Sequence, residues 1–236
     1  VTLPMGRAVA EDSQPPNILF CIADDWGWPH AGAYGDAVVK TPTFDGLAQQ
    51  GVLFENAYIS SPSCTPSRGA ILTGQFHWRL GGAANLWSVF PDRLDTYPEI
   101  LEEAGYFVGR TGKAWGPGRP ETKSRVLAGE NYKNFAAFIE KRDPETPFCF
   151  WLGTKEPHRG YGLDNWKLDG RDLADVVVPE YYPDNETIRG DLADYAIEVE
   201  WYDNHIAQVL KHLEVDGKLE DRKSTRLNSS HTVISY

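Results

Sequence analysis

The segment Asn17 to Ala23 limits the possible folds more than any other. Its apolar core, Ile18-Leu19-Phe20-Cys21-Ile22-Ala23, is closed by Pro15-Pro16 in front and by Asp24-Asp25 behind. A continuous apolar run of this length reads as a buried strand of a parallel sheet. Thr43 to Gly51 then reads as a helix, with Thr43 as its N-cap and Gly51 as its stop, and Val52 to Ile59 reads as a strand. Turn-forming residues from Ser60 to Ser67 precede a short helix, Arg68 to Thr73, that stops at Gly74, so Cys64 is placed beside a helix N-terminus. Tyr97 to Ala104 predicts a helix, Tyr106 to Arg110 a strand, Asn134 to Lys141 a helix and Pro147 to Gly153 a strand rich in Phe and Trp. A long helix follows over Ile188 to Val215, with apolar positions at Leu192, Tyr195, Val199, Ile206, Val209 and Leu213. There is no internal repeat. Alternating strands and helices predict an α/β fold: a doubly wound, mostly parallel sheet with helices on both faces.

Composition narrows the function classes. Six consecutive apolar residues fall far short of the roughly 20 that a membrane-spanning helix needs. With 23 basic against 34 acidic side chains, a net charge of −11 and no dense Lys/Arg block, non-specific nucleic-acid binding lacks its attractive force. Cys21, Cys64 and Cys149 are odd in number and far apart, which argues against a disulfide framework and against a thiolate zinc site. Ala8-Val9-Ala10 followed by Glu11-Asp12-Ser13 has the form of a secretory cleavage point. Residues 1–14 are therefore read as a signal-peptide stub or a disordered N-terminus, and a periplasmic or secreted location is expected.

Asp24 and Asp25 stand at the C-terminal end of the first strand, the sheet edge where ligands bind in open α/β folds. Either they solvate a strand end, or they offer hard oxygen ligands to Ca²⁺ or, less readily, Mg²⁺, with partners brought from distant segments. The most specific stretch is Cys64-Thr65-Pro66-Ser67-Arg68, continuing to Thr73-Gly74. It resembles the signature of the type I, formylglycine-dependent sulfatases of the alkaline-phosphatase-like superfamily. The resemblance extends over roughly residues 15 to 217. Pro16-Asn17-Ile18-Leu19 with Asp24-Asp25-Trp26-Gly27 is similar to the family's opening strand and metal aspartates. Thr41 to Ala48 is similar to its next helix, Gly105-Tyr106 through Gly112-Lys113 to its second signature, and Glu156-Pro157-His158 to its later Pro-His site.

The resemblance implies a sulfatase acting on a sulfate ester or sulfamate, with a sulfated carbohydrate as the expected substrate. Cys64 would be converted by a formylglycine-generating enzyme to formylglycine, whose hydrate attacks sulfur and also contacts the metal. Asp24 and Asp25 would bind Ca²⁺, Arg68 would stabilise the hydrate, Lys113 would hold a sulfate oxygen, and His158 would bind sulfate or protonate the leaving oxygen. Lys155 is a weaker candidate. Ala114-Trp115-Gly116 lacks the histidine that the family often carries after its Gly-Lys, so one catalytic histidine has no counterpart. The eight tryptophans, Trp26, Trp28, Trp78 and Trp87 among them, are read as core, because buried aromatics dominate cores. Trp115, beside Lys113 in a Gly/Pro-rich loop, is the exception, read as substrate-binding. His30, His77, His205 and His212 receive no role.

After Gly217 the family would enter a strand and an Asp-Asn or Asp-His pair, whereas here the chain reads Arg222 to His231 with neither an apolar strand nor an acidic pair. Residues 15–217 are accordingly read as part of a sulfatase catalytic domain, and 218–236 as a non-native tail. The expectation is a C-terminally truncated, N-terminal catalytic fragment with an incomplete metal site, an uncovered sheet edge and no activity of its own. Two other readings stand beside the sulfatase: a phosphoesterase of the same superfamily, and a non-catalytic sulfoglycan-binding relative.

Overall fold

The computed structural model describes residues 15–215, together with the backbone strands at 222–228 and 233–235. The N-terminal segment read as a signal stub lies outside the described residues. In chain order the elements are β1 (Asn17–Asp24), α1 (Pro42–Gln50), β2 (Val52–Leu53), α2 (Cys64–Thr73), β3 (Ser88–Phe90), α3 (Tyr97–Glu103), β4 (Phe107–Thr111) and β5 (Gly118–Pro120). They continue with β6 (Glu130–Asn131), α4 (Phe135–Lys141), β7 (Phe148–Pro157), α5 (Asn165–Asp169), α6 (Glu186–Val215), β8 (Arg222–Asn228) and β9 (Val233–Ser235).

Seven strands form one sheet in the order β2-β9-β8-β1-β7-β4-β6, and β3 pairs with β5 in a small second sheet. The pairings among β1, β4, β6, β7 and β8 are parallel, while β9 runs antiparallel to both β8 and β2. Each parallel return needs a crossover, and helices supply the cover for both faces. Side chains of one strand point alternately to the two sides, so the apolar run of β1 splits between two cores. Leu19, Cys21 and Ala23 join Phe44 and Leu47 of α1, Phe135 and Phe138 of α4 and the apolar stripe of α6. Phe20 and Ile22 point the other way, to Leu72 of α2, Leu80, Phe90 and Leu94. β7 divides likewise, with Phe148, Phe150 and Leu152 toward the first core and Trp151 toward the second. The doubly wound α/β reading is thus realised strand by strand.

Local signals explain the helix ends. The Asn134 side chain accepts from the Ala137 amide at 2.9 Å, and Thr96 with Glu99 forms a capping box at the start of α3. Three sequence expectations are corrected. The strand expected over Val52 to Ile59 is only two residues long and pairs with β9, because Glu55-Asn56-Ala57 and the serine-rich segment beyond it favour turns. The helix expected from Arg68 begins at Cys64, since Pro66 is well suited to a first helical turn. After Gly217, where no strand was expected, the backbone of β8 lies parallel beside β1, with Ile22 opposite Asn228. An exposed strand edge is a template of N–H and C=O groups that pairs irrespective of side-chain polarity, so the β1 edge is covered.

Among the described residues no helix is long and apolar enough to cross a membrane. Phe150, fully buried at the centre of β7, packs on Phe138 and Phe135 at centroid distances of 4.6 and 5.1 Å. Phe150→Ala should therefore lower unfolding free energy by about 3–5 kcal/mol in a denaturant titration.

Candidate active site

β1, β4 and β7 are parallel, so their carboxyl ends meet at one edge of the sheet, and the N-terminus of α2 faces the same edge. Asp24 ends β1, Lys113 follows β4 by two residues, His158 follows β7 by one, and Cys64 opens α2. The structure brings these four predicted residues together. Cys64 Sγ lies 3.6 Å from Asp24 Oδ1 and 3.3 Å from Lys113 Nζ. Lys113 Nζ also pairs closely with Asp24 Oδ2. Ligand atoms of Asp24, Cys64 and His158 all lie within 4.8 Å of one another, and His158 Nε2 is 3.8 Å from Asp25 Oδ2.

Two glycines allow Lys113 to arrive there. Gly112 has φ +66, and a Cβ on it would strike the Gly153 carbonyl, while a Cβ on Gly153 would strike the carbonyl of Lys113. The loop leaving β4 therefore crosses β7 at backbone contact distance. Asp25 holds φ +69, which aspartate tolerates better than most residues. Its bend is pinned by Tyr195 of α6, whose hydroxyl donates to the Asp25 carbonyl and accepts from the Gly27 amide, both at 2.9 Å. Burial pushes the pKa of that phenol upward, so its proton stays available to donate. Sequence periodicity found Tyr195 only as a core position. Its position on the stripe could not reveal that the hydroxyl end reaches the aspartate loop.

Arg68 is drawn in beneath the same cluster, near enough to Cys64 for the two groups to interact electrostatically. Its side chain is only 4% exposed, and the guanidinium donates to the carbonyls of Lys113 at 2.9 Å, Ala114 at 2.8 Å and Ala23 at 3.2 Å, and to Asp24 Oδ1 at 3.3 Å. Burial works to lower its pKa and Asp24 works against this, but an arginine starts so high that it keeps its charge. It is a brace between β1, α2 and the lysine loop. Burial and the Asp24 carboxylate push the Cys64 thiol up, with Lys113 opposing. Ser63 caps α2 without a side-chain hydrogen bond, and the positive end of the helix faces the site, favouring an anion there.

His158 Nδ1 is 2.7 Å from the Arg159 carbonyl. A carbonyl only accepts, so Nδ1 carries the hydrogen and Nε2 is left toward the cluster, as a proton donor when the ring is charged. Lys155 contributes its carbonyl to the His158 amide at 2.8 Å, and its side chain is exposed. Trp115, expected to bind substrate, is half-buried. It packs edge-on against Phe90 at 5.4 Å at the margin of the second core, with its indole nitrogen buried, because the glycines flanking the loop let the ring fold inward.

Tyr195→Phe removes one hydroxyl and leaves a backbone N–H and a carbonyl of the aspartate loop without their partner. Stability should fall by about 1–3 kcal/mol, and amide hydrogen exchange at Gly27 should accelerate. Arg68→Ala should cost more, about 3–5 kcal/mol by denaturant titration, because the inward-facing carboxylate of Asp24 loses a partner.

The protein-family model described as Sulfatase matches residues 16–222. Human N-sulphoglucosamine sulphohydrolase is 29% identical over an alignment of 248 positions, covering 89% of this chain and 49% of that protein. The N-acetylglucosamine-6-O-sulfatase of Bacteroides thetaiotaomicron is 29% identical over 202 positions, 72% of this chain and 35% of that protein. The chain thus spans half or less of these curated relatives. The crystal structure of yidJ from Bacteroides fragilis has the same fold, with a TM-score of 0.75 at 19% identity over 95% of this chain and 64% of that one. The family match runs from the opening strand to the first residue of β8, most of the chain, and on that ground the protein belongs to the sulfatase family.

Proposed function

We propose that the full-length protein, with this chain supplying Cys64 and the residues around it, hydrolyses a sulfate ester, or a sulfamate, of a sulfated carbohydrate, using formylglycine made from Cys64 together with a bound Ca²⁺. The observation that carries the proposal is the convergence of Cys64, Asp24, Lys113 and His158 at the carboxyl edge of the sheet. Both curated relatives are named for sulfated amino sugars, which supports a carbohydrate substrate. An exported location accords with a substrate class of extracellular polymers.

The donor set discriminates between states of residue 64. Ca²⁺ takes oxygen ligands, and a thiolate is too soft for it. Asp24 and Asp25 fit a hard cation, and residue 64 fits only once its sulfur has been replaced by oxygen. In that conversion the C–S bond gives way to a C=O bond and sulfur leaves as sulfide; dioxygen takes two electrons from the cysteine and two from a thiol reductant, which becomes a disulfide, and ends as the aldehyde oxygen and water, with a formylglycine-generating enzyme as the partner. Asp24, Asp25 and residue 64 would hold the ion, with water completing its six to eight oxygens. The ion would supply positive charge to the sulfate oxygens. The hydrated aldehyde would supply the hydroxyl oxygen that attacks sulfur and would release sulfate as the aldehyde returns.

The remaining residues have roles set by where they stand. Lys113 Nζ, between Asp24 and residue 64, would hold a sulfate oxygen. His158, charged, gives the Nε2 proton to the leaving oxygen. Arg68 is a positioning residue that holds Asp24 and the Lys113 backbone. In the net reaction the sugar O–S bond breaks, one water is consumed, and the alcohol and inorganic sulfate are formed.

Mass analysis of the tryptic peptide containing residue 64, from protein co-produced with a formylglycine-generating enzyme, should show the aldehyde. A thiol there would point instead to a sulfoglycan-binding role without turnover. Cys64→Ala should abolish hydrolysis and leave the thermal transition in place, and retained turnover would overturn the mechanism. Asp25→Asn should weaken Ca²⁺ binding by more than about tenfold in a calorimetric titration. Turnover of sulfated glycan fragments should exceed that of a small aryl sulfate.

A further inference from the structure

Four of the eight tryptophans are exposed: Trp28, Trp78, Trp87 and Trp201. Trp87 is the extreme case, 80% exposed, and its backbone holds φ +56, a region that bulky residues rarely adopt. Its amide donates to the Pro117 carbonyl at 2.9 Å, and that same carbonyl accepts the Thr65 hydroxyl at 2.7 Å. Thr65 directly follows Cys64 in α2, and Pro117 follows Lys113 by four residues in the loop leaving β4. The next residue, Ser88, opens β3 and pairs with Gly118 of β5. The Trp87 backbone is therefore tied to both segments that build the candidate site, while most of its indole stays in water.

A large apolar ring carried into solvent on a fixed backbone beside an anion site suits a ligand with an apolar face and polar edges. A pyranose has that form, with C–H groups on its faces and hydroxyls around its rim, and an indole has only two side-chain torsions to order when it covers such a face. We propose that Trp87 is a stacking platform for a sugar ring next to the reacting sulfate, so that the site recognises a sulfated carbohydrate by its ring as well as by its charge. This inference rests on the hydrolysis proposed above. Trp78 serves as the comparison. It is 62% exposed and stacks on Phe76 at 4.4 Å, but it follows the C-terminal end of α2, a helix about 15 Å long, away from Cys64.

The test measures kcat and KM on a sulfated glucosamine oligosaccharide, with residue 64 verified as formylglycine. Trp87→Ala should raise KM about tenfold while kcat changes less than about twofold, Trp87→Phe should fall between, and Trp78→Ala should match the unaltered protein. Trp87→Gly removes the ring and suits the positive φ, so it should raise KM equally and melt no lower than the unaltered protein. An unchanged KM in Trp87→Ala and Trp87→Gly, with the unaltered protein active, overturns the platform and leaves the reaction standing. An unaltered protein that turns over no sulfated glycan overturns the reaction and the platform together.

Discussion

The buried guanidinium of Arg68 is the point on which the carboxyl edge of this sheet depends. Three carbonyls from two segments and one carboxylate oxygen converge on it, at 2.8 to 3.3 Å. A planar fork of donors can satisfy carbonyls arriving from different directions, which a lysine ammonium on a flexible stem would do poorly. Arg68 thereby fixes the height of Asp24 at the end of β1 relative to Lys113 beyond β4, while its own helix carries Cys64. One short helix carries both Cys64 and this brace, four positions apart, and the arginine supports the candidate site from beneath.

Charge explains the rest of the geometry. Asp24 is nearly fully buried, and an isolated carboxylate there would be too costly, so it is held between Arg68 and Lys113. A divalent cation at this edge would compete with Lys113 for the same oxygen and release its ammonium toward an incoming anion. The positive end of α2 adds to the same field. In a chain with net charge −11, any attraction for an anion must be local, and these groups carry the positive charge at this edge.

The two cores keep this edge rigid. β1 and β7 each send alternate side chains to opposite faces, so both strands are clamped from above and below, and their ends move little relative to each other. Tyr195 extends that rigidity into the Asp25 bend from the far side, by way of α6.

Sequence by itself determined the alternation of buried strands and helices, the placement of Asp24-Asp25 and His158 at strand ends, and the Cys64 to Gly74 signature. Each of these is written in local period, punctuation or motif, which neighbouring residues specify without the rest of the chain. Tertiary structure decided what depends on distant groups meeting. It placed Arg68 as a brace, because the acceptors of its guanidinium come from segments some 45 positions away on either side. It turned Trp115 inward and left Trp87 in solvent, a distinction that composition cannot make, since both tryptophans sit in similar glycine-containing loops. It gave Tyr195 a polar task at 170 residues' separation from Asp25. It also set a strand beside β1 where polar residues predicted none, because backbone pairing is driven by an open sheet edge and does not consult the side chains.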